Sequence, residues 1–134
     1  MFLSKLKSEE MELFLDLGIH LASCDGDFAL VEKENIIQMC QEMGIEKRLD
    51  AKLSFNEALE QLSKLSNNYE KKIILLELAG IVMADGVCSP EEKELLMNII
   101  TTLNMKDSDC DAVIKLVSSL YSVYSEIGNY LASK

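Results

Sequence analysis

The sequence predicts an all-α fold: a compact helical bundle of about six to seven helices built from two pseudo-symmetric halves. Apolar residues recur at three- and four-residue intervals almost throughout, the period of a helix with a buried face. A single Pro, six Gly and few aromatic or β-branched runs argue against a many-stranded sheet. A third observation predicts the two halves. Asp25-Gly26 with Glu32-Lys33-Glu34 is repeated sixty residues later as Asp85-Gly86 with Glu92-Lys93-Glu94, and flanking apolar positions repeat with it, Leu21 with Ile81, Ile36 with Leu96 and Met43 with Leu103. Residues 1–134 are therefore expected to form one domain, with repeats of approximately 8–66 and 68–134.

The helices follow in order. Ser8, followed by Glu9 and Glu10, can cap a first helix reaching about Cys24, its acids facing the positive end of the helix dipole. Ile36, Ile37, Cys40 and Met43 form the stripe of a second helix that Gly44 ends. Glu46 to Lys52 is expected to be a short helical turn, and Phe55, Ala58, Leu59, Leu62 and Leu65 supply a third helix. Asn68 with Glu70 can open the counterpart of the first helix, running to about Ala84. Both of these helices are apolar on nearly every side, so they are expected to pack on each other at the centre, with Gly18 and Gly80 marking close helix approach. Ser89-Pro90-Glu91-Glu92 starts a fifth helix, whose stripe Leu95, Leu96, Ile99, Ile100 and Leu103 precedes Asn104. Val113, Leu116, Val117, Leu120, Tyr124 and Ile127 belong to a last, longer helix.

Composition narrows the function. Thirteen basic against twenty-three acidic residues give a net charge of −10, which repels phosphate backbones and anionic membrane surfaces, so no nucleic-acid partner is expected. No apolar run reaches the roughly eighteen residues of a membrane span, and the start shows no secretory signal; no membrane insertion and a cytoplasmic location are the expectation. Cys24, Cys40, Cys88 and Cys110 are spaced like free thiols and not like a zinc knuckle or a redox dithiol.

The repeated acidic turns admit two readings. Glu92 can be half of a capping box with Ser89, and Asp85-Gly86 a helix terminus with Gly left-handed. Yet an Asp at a helix C-terminus faces the negative end of the dipole, and both copies place a Glu seven residues on. Oxygen-only anionic clusters suit a hard cation such as calcium or magnesium. An EF-hand fails on spacing, because the loop's glycine and final acid would fall on Leu30 and Ile36, or on Pro90 and Leu96.

Ala84-Asp85-Gly86, then Ser89-Pro90-Glu91-Glu92 and an apolar helix, preceded by Leu75-Leu76-Glu77-Leu78-Ala79-Gly80-Ile81-Val82-Met83, resembles the TerB-like domain, named for tellurite-resistance proteins and related to a domain that begins a membrane-anchored J-domain co-chaperone. The resemblance spans about Glu9 to Ile127. It implies a compact two-halved helical fold, no established catalytic activity, and divalent-metal binding by acidic residues in stress response or in assembly at the membrane's inner face. Carried over, the metal ligands are Asp25 and Glu32 in the first half and Asp85 and Glu92 in the second. The first half departs from the pattern, with Cys24 before the Asp and Ala29 at the cap position.

Other chemistry is disfavoured. His20 and Cys24 have zinc-ligand spacing but lack companions for a tetrahedral site, and a thiol in an apolar helix lacks the activation a nucleophile needs. No Trp, aromatic-lined cleft or glycine-rich phosphate loop is expected to hold a substrate, so no enzyme is predicted. Two functions remain. One is a divalent-cation-binding domain; the other is a metal-independent helical interaction module that docks a protein partner, with Tyr121, Tyr124 and Tyr130 at the end of the last helix.

Overall fold

The computed structural model describes residues 1–22, 30–83 and 86–134, with the backbone alone for residues 30–32. The order is a 3₁₀ turn at Leu3–Lys5, then α1 (Ser8–Ala22), α2 (Leu30–Met43), α3 (Phe55–Leu65), α4 (Asn68–Val82), α5 (Pro90–Thr102) and α6 (Asp107–Ala132). The described residues contain no strand, as the helical periodicity requires.

α1 and α4 occupy the middle. α1 packs on α2, α3 and α4, while α4 also packs on α5 and α6, and α3 meets α5. Phe14, Leu15 and Leu17 of α1 and Ile74, Leu75 and Leu78 of α4 are fully buried, joined by Leu59 and Leu62 from α3 and Leu96, Ile99 and Ile100 from α5. Each such side chain contributes about 1.5–3 kcal/mol when removed from water, which is why two helices with apolar residues all round become the centre.

The starts of the central helices differ by one residue from the sequence reading. Ser8 is the first helical residue, and Lys7 holds the cap position: its N–H donates to Glu10 Oε1 at 2.7 Å and its carbonyl accepts from Met11 N at 3.0 Å. Asn67, not Asn68, caps α4, its side-chain oxygen accepting from Glu70 N at 2.8 Å while Glu70 Oε1 accepts from Asn67 N at 2.9 Å. The two starts are clasped together, since Lys7 Nζ donates to Glu70 Oε1 at 2.9 Å and Ser66 Oγ donates to the buried Glu10 carboxylate. α4 stops at Val82, two residues before the expected end, with Met83 at the cap position, whereas the expected end of α1 near Cys24 lies outside the described residues. At α4 the Gly86 N–H turns back to the Met83 carbonyl at 2.9 Å.

The α2 and α5 stops share one geometry. Gly44 (φ 69°) and Asn104 (φ 57°) are both left-handed, and the residue after each donates back to close the last turn, Ile45 N to Cys40 O at 3.1 Å and Met105 N to Ile100 O at 3.0 Å. Asn is the non-glycine residue that best tolerates this conformation.

Two expectations fail. Residues 46–52 are not a helical turn but an irregular strap. The chain's one arginine holds it down: Arg48 Nη1 binds Asp16 Oδ1 at 2.6 Å and Nη2 binds the Glu12 carbonyl at 3.0 Å, and Lys52 N donates to the same Asp16 oxygen at 3.0 Å. Strap polar groups are thus satisfied by a buried carboxylate instead of by helical bonds. Gly80 marks no close helix approach, because a Cβ there would meet nothing within 4 Å; Gly18 does, with Met39 Sδ at 3.0 Å.

Candidate functional site

The second acidic turn joins α4 to α5. Gly86 is left-handed (φ 79°), and a Cβ on it would lie 2.8 Å from the Cβ of Tyr121, so only glycine lets the turn sit against α6. Ser118 Oγ of α6 donates to the Gly86 carbonyl at 2.8 Å, and Tyr121 Oη donates to the Gly80 carbonyl at 3.3 Å. α6 therefore grips both ends of the segment carrying the Asp-Gly pair. On the α5 side Ser89 Oγ accepts from Glu92 N at 3.2 Å and Glu92 Oε1 accepts from Ser89 N at 2.8 Å, the capping box read from sequence.

Glu92 is the one predicted ligand whose side chain is described, and it is half-buried and oriented by its cap through Oε1. Asp25 and Asp85 lie outside the described residues, as does the side chain of Glu32, although its backbone is in the first turn of α2. Among the described residues no group of His, Cys, Asp and Glu gathers in a way that could hold a metal. Cys88, in the same turn, is half-buried with its thiol pushed above the usual range by burial and by the Glu92 charge.

His20, the other candidate ligand, has a structural partner. His20 Nε2 lies 2.8 Å from the Leu53 carbonyl, which makes it the donor that ties α1 to the strap's end; Cys24 is outside the described residues. Cys40, Cys88 and Cys110 are free thiols, and burial raises Cys110 as it does Cys88. Arg48 and Ser118 were not singled out from sequence. The signal for Arg48 was Asp16, a charge within the apolar run of α1 that needs a buried partner; nothing local pointed to Ser118.

Where no aromatic-lined cleft was expected, there is one. A groove of about 500 Å³ runs between α4 and α6, lined by Leu76, Gly80, Leu116, Leu120, Tyr121 and Tyr124 and closed at one side by Phe2 and Met1, whose N-terminal ammonium pairs with Glu77 at 3.0 Å. Tyr121 is half-buried in its wall, whereas Tyr124 and Tyr130 are exposed. Among the described residues no helix is long and apolar enough to cross a membrane.

No curated protein and no solved structure matches the chain. One family model does match, that of tellurite resistance protein TerB, over residues 45–115. The match is narrower than the resemblance read from sequence: it takes in the strap, α3, α4, the second acidic turn, α5 and the start of α6, and leaves the first turn outside. With more than half of its length matched, the chain belongs to the TerB family.

Proposed function

We propose that this chain is a non-enzymatic TerB domain that binds a divalent cation, calcium or magnesium, through Asp25, Glu32, Asp85 and Glu92, and acts in the cytoplasm in a stress response of the tellurite-resistance type or in protein assembly. One observation carries the reading: the family match contains the second acidic turn, where α6 holds the Gly86 carbonyl and the cap orients Glu92. A Glu92 carboxylate already oriented by its cap lowers the ordering cost of that ligand on binding an ion. The donor set is all oxygen, which fits a hard cation and not zinc. Glu92 and Asp85 would hold the ion in the second half, and Glu92 keeps lone pairs free for it while Oε1 serves the cap. Asp25 and Glu32 would do so in the first half, within one domain made of two related halves. Bound cation supplies charge neutralisation between the halves and no reaction.

The measurement is thermal melting in chelator and then in excess calcium or magnesium at matched ionic strength. Binding to the native state at a hundredfold excess over the dissociation constant stabilises by about 2.7 kcal/mol, a shift of several degrees for a chain of this size. Asp85→Asn with Glu92→Gln should remove the second-turn part of it, and Gln at 92 keeps the capping box intact. A parent with no cation-specific shift favours the metal-independent interaction module, to which the exposed apolar face of α6 points.

A further inference from the structure

Independently of any cation, α6 carries an apolar stripe that leaves the core and runs out into solvent toward its C-terminal end. Val113, Val117, Leu120, Tyr124, Ile127 and Leu131 alternate four and three residues apart, the spacing of a coiled-coil stripe. The stripe starts in the core, where Val113 and Val117 are buried, and continues off the body, where Tyr124 is 57%, Ile127 47% and Leu131 74% exposed. Beside it Leu116, 58% exposed, borders the α4–α6 groove.

We propose that two copies of this chain associate through α6, crossing antiparallel about a point between Val123 and Tyr124, each seating the end of its helix in the α4–α6 groove of the other. Charge selects a second copy as the occupant. Residues 116–132 hold a single charged side chain, Glu126, in a chain that is 27% charged with net charge −10. Two such acidic molecules repel each other over most of their surface and approach with least repulsion along this stretch, whereas a basic partner is drawn to the acidic surface elsewhere. The register is self-complementary, as a two-fold interface requires. Leu131 of one copy meets Leu116 of the other and Ile127 meets Leu120, because both pairs are centred on the same point. The groove has room at Gly80, where a Cβ would meet no atom within 4 Å, and Gly128 leaves the same space on the entering helix.

Sedimentation of the full chain, reduced, from micromolar to sub-millimolar concentration, tests the proposal. The parent should reach twice the monomer mass. Leu116→Lys and Leu131→Glu should each raise the dimer dissociation constant at least about tenfold, with circular dichroism unchanged because both positions are exposed. The combination Leu116→Lys with Leu131→Glu places opposite charges across both ends of the antiparallel seam and should restore the dimer. A parent that stays monomeric overturns the proposal and leaves the face to a different protein or a lipid surface. Single variants that dimerise like the parent, or a double variant without recovery, overturn the seam and its register respectively.

Discussion

Gly86 shows how much a single missing side chain positions. Its backbone is left-handed and a Cβ on it would lie 2.8 Å from the Cβ of Tyr121, so two independent constraints favour glycine here. Gly86→Ala should lower stability by about 1–3 kcal/mol, combining the strain of positive φ with the displacement of α6; urea unfolding of the two proteins measures it. If the α6 grip on the turn positions the cation ligands, the cation-dependent melting shift should shrink in the same variant. Of the candidate site, this residue and the capping box were legible in sequence, because Asp-Gly and Ser-Pro-Glu-Glu encode local backbone geometry. The Ser118 bond was not, since it joins residues thirty-two apart through a packing choice that no local pattern expresses.

At the scale of elements, the six helices of the described residues were legible, and the starts of α1 and α4 slipped by one residue where side chains competed for the cap. Lys7 takes the cap position at α1 because Glu10 reaches back to its N–H, a bond that does not depend on the side chain of residue 7. The strap at 46–52 was misread as helical because its polar groups are satisfied by Asp16, far away in sequence and on another element. Gly80 was misread for the opposite reason: its period matches a helix crossing, yet the space beside it is the groove. Gly80→Ala should therefore raise stability by about 0.5–1 kcal/mol, the helix preference of Ala over Gly with no steric cost. Denaturant midpoints at low protein concentration check this, and a loss of stability would mean that α6 sits closer than described.

For the molecule as a whole, the clasp between the α1 and α4 starts sets the response to acid. Burial pushes the Glu70 carboxyl up, but the Asn67 N–H and the Lys7 ammonium outweigh it and hold the group below its ordinary 4.5. A depressed carboxyl contributes stability that is fully present above its unfolded value and is lost as pH falls through the folded one. Lys7 is raised by the same hydrogen bond, so its contribution is lost only on the alkaline side, above its ordinary 10.5. Glu70→Gln should accordingly be less stable than the parent at pH 7, and the gap should narrow as pH drops below about 4.5. Unfolding at pH 7 and at about pH 3.5 decides it; a gap that stays constant would mean that the clasp contributes through shape and not charge.

The arginine strap also makes the native chain a poor substrate for one class of enzyme. Arg48 is the only arginine in 134 residues, and its guanidinium is enclosed by Asp16, Glu12 and the Asp50 carbonyl. An arginine-specific protease consequently has one bond to cut, after Arg48, and cannot reach it until the strap lifts from α1. Two fragments of known mass, accumulating at the rate of that lifting when protease is in excess and in proportion to the opened population when it is scarce, would report a single local opening in a protein that is otherwise closed to the enzyme.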